Sequence, residues 1–441
     1  MRKKISKSKS AITQMQAISL VVVIIAAVAI TGFAVWSASR PAAPPEVKPP
    51  VEEEVTIEMW DGLGGGDGYV FDMLVEDFNT EYKGKIKVVR IMQGGWSDVY
   101  SKLAAAYKAG SGIPDLSIMH PTELPIFKDT IAQPLDDLVQ KSGVTRDMFI
   151  GYAWDLAQAD GHTYWIPFDV HPYAMYVNAK MAAEYGITIP KPGELETPDD
   201  LLDWWRDARA KLPENLYPFG LPSWGDWWVW WCLTPEDLLM KDGEVDFRVD
   251  SPEGIYAFNV YKTIVDENLG KVHTWEELAA GLAGDSLSWI HGPWMQATFD
   301  KVTGFEYSVV PIFGPRYKVW ASGHSIYLTK ANGDVRTGAA WEFAVWLLKP
   351  KNDGRWGQYA GHIPAVLEAQ NYPPYAAIGA RGMFAKQAEL GFKFLSFHEL
   401  IWRWGDVINP RIVDVMDGTL TPEQAAAQAQ ADLEAIMEEY E

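Results

Sequence analysis

The sequence predicts an α/β protein, with sheets covered by helices, carried behind a membrane-spanning N-terminal helix. Segments with strand and helix periodicity alternate from Val55 onward. Several helices open with Ser or Thr followed by Pro and an acidic residue, which caps the first turn and sets its φ. An uncharged run of 20 residues, Ala17 to Trp36, follows a basic tail.

Arg2, Lys3, Lys4, Lys7 and Lys9 precede that run. At about 1.5 Å per residue the run makes a helix of roughly 30 Å, enough to cross the hydrocarbon core. Basic residues before the span and none inside it put the N-terminus in the cytoplasm and the rest outside. The stretch Ser8-Lys9-Ser10-Ala11-Ile12-Thr13-Gln14-Met15-Gln16 ahead of it resembles the prepilin-like signal peptides of archaeal surface proteins. That resemblance implies a basic signal segment over 1–11, cleavage after Ala11, and an anchor helix retained over 12–36. Residues 37–54 are rich in Pro and Glu, cannot pack a core, and read as an extended linker.

Beyond the linker, Val55 to Trp60 alternates like a strand and a glycine-rich turn follows it, Gly62 to Gly68. Tyr69 to Tyr82 has helical spacing, Ile86 to Ile91 is a second strand, Asp98 to Lys108 a helix, and Leu116 to Met119 a third strand. This order argues for a parallel sheet with ligands bound outside the carboxyl ends of its strands, near Trp60-Asp61 and Met119-His120. Later helices are expected over Thr197 to Leu212, over Ser251 to Asn268, and from Thr421 to the C-terminus.

A length of 441 residues allows two ordinary domains or one large bilobed unit. The formal charge of -21 argues against nucleic acid, which demands clustered Lys and Arg. A single cysteine, Cys232, excludes an internal disulfide and a Cys-based zinc cluster, and its apolar surroundings predict a buried, inert thiol. No metal or cofactor is expected. Asp242-Gly243-Glu244-Val245-Asp246 does not have the spacing of a calcium loop, and His398-Glu399 has Trp402 where a second zinc-binding His would stand. The competing class is a secreted carbohydrate-active enzyme with paired carboxylates, which abundant Asp and Glu make easy to invent.

A series of short landmarks stands in order along the chain. They are Tyr100-Ser101-Lys102-Leu103-Ala104-Ala105-Ala106 with Pro114-Asp115-Leu116, Trp165-Ile166-Pro167-Phe168 with Met175-Tyr176-Val177-Asn178, and Gly292-Pro293-Trp294. Gly361-His362-Ile363-Pro364 and Asp417-Gly418-Thr419-Leu420-Thr421-Pro422-Glu423 follow. With these landmarks the chain from Val55 to Glu441 resembles the extracellular solute-binding proteins of the maltose and glycerol-phosphate type, and the resemblance implies a two-lobed fold of the type II periplasmic-binding-protein kind. Its lobes would be 55–169 with 322–370 and 171–320 with 372–441. It further implies a monomeric, non-enzymatic receptor that closes over a sugar and delivers it to ABC permease subunits; a polyamine is the competing ligand.

A sugar offers apolar faces to aromatic rings and hydroxyls to carboxylates and imidazoles, and its buried polar groups must be paired. The 21 Trp of this chain exceed what its core requires. The first strand ends in Trp60 and Asp61, and either Asp61 or Asp67 would accept hydroxyls unless Asp67 merely caps a turn. His120, Thr122 and Glu123 follow the third strand, with contact expected from at least one. For Asp169 and His171 the choice is between ligand contact and a buried hydrogen bond at a hinge. Of Trp224, Trp227 and Trp228, one or two would stack on ligand. The resemblance marks Trp294 as the stacking tryptophan and offers Trp402 and Trp404 as further aromatic contacts; His324 could approach the ligand from the other lobe, and His362 is a further candidate.

Overall fold

The computed structural model describes residues 53–440 apart from 236, 242–243, 331–332, 377–378, 391 and 394–400. The expected signal segment, anchor helix and most of the linker lie outside the described residues, among which no helix is long and apolar enough to cross a membrane.

The first part of the chain contributes β1 (Val55–Asp61), α1 (Gly65–Glu81), β2 (Ile86–Met92), α2 (Trp96–Ala109), β3 (Leu116–Met119) and β4 (Trp165–Pro167). Next come β5 (Asp169–Pro172), β6 (Ala174–Asn178), α3 (Pro198–Arg209), β7 (Tyr217–Pro222), α4 (Trp227–Cys232), α5 (Pro252–Asp266), β8 (Gly270–His273) and β9 (Ser286–His291). The remainder holds β10 (Tyr307–Val310), β11 (Val319–Ser322), β12 (Ser325–Leu328), α6 (Gly333–Leu347), α7 (Pro350–Ala360), β13 (Ile363–Pro364), β14 (Phe392–Lys393), α8 (Ile401–Met416) and α9 (Pro422–Tyr440).

These strands build two five-stranded sheets of similar design. In the first, ordered β2-β1-β3-β12-β4, the expected parallel unit is present, with Val55 opposite Ile86 and Met59 opposite Leu116. The sheet is mixed rather than wholly parallel, because β12 runs antiparallel to both β3 and β4. The second is ordered β8-β7-β9-β6-β10, with β7, β8 and β9 parallel and β6 antiparallel to β9 and β10. In both, an antiparallel strand from a distant part of the chain sits beside the parallel core.

A third sheet, β13-β5-β11-β14, connects them. Only Phe168 separates β4 from β5, and only Tyr173 separates β5 from β6. The chain therefore passes from the first sheet to the second within residues 165–178, and returns through β11 and β12 with Gly323 and His324 between them. A third passage runs through β13, whose Ile363 pairs with Val170. Each large sheet has its own core. Ile57, Phe71, Ile118, Phe343 and Trp356 pack the first, and Tyr176, Leu221, Phe258, Trp289 and Trp404 the second.

The caps act as the sequence suggests. Thr197 accepts from the Asp200 N–H at 3.2 Å while the Asp200 carboxylate accepts from the Thr197 N–H at 2.9 Å, and Ser251 accepts from the Gly254 N–H. Helix α1 begins four residues earlier than its apolar periodicity indicates. Gly68 lies inside it, and a side chain is excluded there because a Cβ would stand 2.6 Å from the Leu63 carbonyl oxygen. That carbonyl belongs to the turn organised by Asp61, whose carboxylate is fully buried. It accepts from Arg90 Nε and Nη2 at 2.7 and 2.6 Å and from the Leu63 N–H at 2.9 Å. Breaking a buried pair by removing one member leaves an uncompensated charge. Arg90→Met is therefore expected to cost about 3–5 kcal/mol in denaturant unfolding; a loss below about 1 kcal/mol would show that water reaches Asp61.

Candidate functional site

Asp169, at the start of β5, is the hub of the crossovers. Its Oδ1 accepts from His171 Nδ1 at 2.9 Å and from the His324 N–H at 3.0 Å. Its Oδ2 accepts from His324 Nδ1 at 2.6 Å and from Trp356 Nε1 at 2.7 Å. His362 Nδ1 lies 3.8 Å from the same oxygen, while His362 Nε2 meets Asp67 Oδ2 at 3.0 Å. Because a carboxylate only accepts, His171 and His324 each carry a proton on Nδ1. Burial alone would raise the Asp169 pKa, but His324, His362 and His171 outweigh it and hold the group well below the usual carboxylate range. Burial drives His171 down to about 3 and lowers His120 well below its ordinary value; His362 is raised, because Asp169 and Asp67 overcome its burial.

Above this hub lies a cavity of about 700 Å³, within the range of small-molecule sites. Its floor is imidazole: His120, His171, His324 and His362, with His291 at one side. Its walls are aromatic. Trp96 stacks on His324 at 5.1 Å, Trp228 packs on Trp320 at 4.6 Å, and Tyr173 stacks on His291 at 5.3 Å. Trp294 stands edge-on to His171 at 5.4 Å and folds over Gly292, where a Cβ would fall 1.9 Å from its ring. Trp320 is fixed from behind by a bond from its N–H to the buried Cys232 sulfur.

Two carboxylates reach the cavity, and each has one buried oxygen without a hydrogen bond: Asp67 Oδ1 and Asp226 Oδ1. Asp226 has a left-handed backbone (φ 57°) ahead of α4. Burial pushes its pKa up to about 7, against backbone N–H groups of Val229 and Trp228 and the Tyr173 hydroxyl.

Of the residues singled out from sequence, the structure brings together Asp67, His120, His171, Trp224, Trp228, Trp294, His324 and His362 around the cavity. Asp169 lies beneath it as the hinge hydrogen-bond acceptor. Others are drawn elsewhere. Trp60 turns its Nε1 to Glu58 and packs on the small core around Trp165 and Tyr327. Asp61 is committed to Arg90. Thr122 and Glu123 are buried in a 3-10 turn and bond to each other at 3.2 Å. Trp227 is buried under Trp228 and against Gly405, and Trp404 is fully buried in the second core. The Trp402 side chain lies outside the described side chains. Trp96, Tyr173, Asp226, His291 and Trp320 also line the cavity and were not singled out. Asp226 stood in the tryptophan run, and Tyr173 two residues from His171, but neither position carries a periodicity that marks its facing.

With a hinge sheet between two α/β lobes and a deep cleft at the crossovers, the chain matches the family of bacterial extracellular solute-binding proteins. The match covers residues 73–382, more than half its length, and the chain belongs to that family. Solute-binding proteins are non-enzymatic carriers. The chain is similar to the maltotriose-binding protein of Pyrococcus abyssi (strain GE5 / Orsay), 22% identical over 332 residues, covering 72% of this chain and 68% of that one. It also resembles the crystal structure of the sugar-binding protein MalE from Xanthomonas citri, with TM-score 0.72 and 20% identity over 88% of this chain and 98% of that one. UgpB from Mycobacterium tuberculosis, in complex with glycerophosphocholine, gives TM-score 0.74 and 16% identity over 87% and 99%. These structures share its fold.

The position of Asp226 has a consequence for pH. Its native pKa of about 7 exceeds its unfolded value near 3.8, so the native state binds more protons between those limits. Stability is then fully present below the unfolded pKa and falls as pH rises towards 7. Asp226→Asn removes that loss, so it should unfold like the parent near pH 4 and be more stable, on the order of a few kcal/mol, at pH 8. Parallel denaturation curves at both pH values would refute this.

Proposed function

We propose that this protein is the substrate receptor of an ABC-type importer and that it captures a sugar, from monosaccharide to oligosaccharide, in the cleft above Asp169. The observation that carries the reading is a cavity with tryptophan walls over a polar floor. Rings cover the C–H faces of a sugar, while carboxylates and imidazoles accept or donate to its hydroxyls. Trp294, Trp228 and Trp224 are assigned to stacking, joined by Trp96 and Trp320. Asp67 and Asp226 each offer an unpaired oxygen that a hydroxyl would satisfy, and His120, His171, His324 and His362 are assigned to the remaining polar contacts.

Ligand closes such a cleft only through contacts made better in the closed state. In our reading the lobes are 55–169 with 322–370 and 171–320 with 372–441, the closed monomer is recognised by the permease, and the polypeptide hinges where the third sheet crosses. We further read residues 12–36 as an anchor of the archaeal prepilin-like kind. It is supported by the basic tail and uncharged run of the sequence, and it would hold the extracellular receptor at the membrane.

Full-length protein in mild detergent, titrated with a panel of mono-, di- and oligosaccharides and with spermidine, tests the reading through tryptophan fluorescence and melting temperature. A cognate sugar at 100 times its Kd should stabilise the protein by about 2.7 kcal/mol. Trp294→Ala should weaken it roughly tenfold, the loss of about 1.4 kcal/mol of ring contact. A response to spermidine alone would keep the receptor and remove the sugar; conversion of the sugar during titration would remove the carrier.

A further inference from the structure

Three imidazole nitrogens and one carboxylate face a single buried point at the hinge. One ligating atom from each of Asp169, His171, His324 and His362 lies within 4.8 Å of every other, and all four residues are buried. The Nδ1 atoms of His324, His171 and His362 stand 2.6, 2.9 and 3.8 Å from Asp169 oxygens. In a tetrahedral site with bonds of about 2.1 Å, neighbouring ligand atoms are roughly 3.4 Å apart, so the observed separations bracket the required edge. We propose that Asp169, His171, His324 and His362 form a binding site for a divalent transition-metal ion of the zinc class.

A second observation points the same way. His362 is fully buried and its Nδ1 has no hydrogen-bond partner, although it faces Asp169 Oδ2. A buried polar nitrogen left unmade costs about 1–3 kcal/mol, and a metal bond satisfies it. Its other nitrogen is already engaged by Asp67, the outer carboxylate that fixes ring orientation in many metal sites. The stack of His362 on Trp356, 5.0 Å apart and 3° from parallel, holds the ring in place. Imidazole with one carboxylate suits zinc, nickel or copper and not magnesium or calcium, which prefer all-oxygen shells. On binding, the metal takes the places of the Nδ1 protons of His171 and His324, and each neutral ring then carries its one proton on Nε2. The ligands come from three separate passages of the chain between the large sheets, so the ion would staple the hinge beneath the cleft. With the ion bound, His171 and His324 keep their Nε2 edges for the solute and His362 serves it only through Asp67, whichever solute the cleft takes.

Full-length protein is stripped with chelator, and metal content is measured after equilibration with zinc chloride, with magnesium chloride as the comparison. One zinc per chain is expected, and no magnesium. Cobalt chloride in place of zinc should give the intense visible absorption of a tetrahedral nitrogen–oxygen site. His362→Gln and His171→Gln should each weaken zinc retention roughly tenfold or more and abolish the cobalt spectrum. Trp228→Ala, outside the four ligands, should retain both while weakening any sugar. Zinc bound at well under one per chain, or equally by the parent and both histidine variants, overturns the site and leaves a hydrogen-bonded hinge. The sugar titration repeated in chelator reads the solute separately, so loss of either assignment is visible without the other.

Discussion

The fold hangs on how three passages of chain between the two large sheets are held at one place, and the Asp169 carboxylate does this. It receives hydrogen bonds from its own strand through His171, from the link between β11 and β12 through His324, and from α7 through Trp356. Bonds to a charged acceptor are worth more than neutral ones, and each donor here is buried, so losing the carboxylate would leave several donors unpaired at once. Nearby, Asp353 experiences the opposite outcome: burial raises its pKa well above the usual range, and the charge on Asp169 adds to the effect. One carboxyl is kept ionised by the imidazoles around it, and the other is driven towards its neutral form.

From this hub the cleft follows. The crossovers are too short to wander, so the imidazoles that reach Asp169 necessarily form the floor, and the rings packed against them form the walls. Trp96 enters from α2, Trp228 from α4, Trp294 from the turn after β9 and Trp320 from β11. Aromatic rings packed on histidine leave an apolar face towards the cavity while the hydrogen-bonding edges stay near its base, a combination suited to ligands that are apolar on one side and polar at the rim.

Much of this was legible before any coordinates. Strand and helix alternation gave the parallel unit of the first sheet, and the Thr-Pro and Ser-Pro caps marked α3, α5 and α9, because those signals are local. What the sequence withheld is non-local. No periodicity in Ser325–Leu328 tells that it pairs antiparallel with β3, since the pairing depends on a crossover some 200 residues later in the chain. The same limit governs the site. Asp61 and Asp67 lie six residues apart at the same strand end, yet Arg90 claims the first and leaves the second to the cleft. Trp227 and Trp228 are neighbours, and helix geometry sends one under the other. His171, His324 and His362 were each visible as single candidates, but their meeting at Asp169 could not be read from their spacing.

The interlaced connectivity also bears on how the polypeptide matures. During synthesis, β1 to β4 emerge long before β12, the strand that lies between β3 and β4 in the finished sheet. Until residue 328 has appeared, the first sheet has a gap between β3 and β4, which leaves two hydrophobic strands with open edges. Neither half can reach its final form alone, and the slow, long-range closure keeps the nascent chain loosely folded until most of it exists. For a chain of the extracellular solute-binding family, late closure of this kind keeps the polypeptide open for longer, and a faster-folding rearrangement of the same strands would close it sooner.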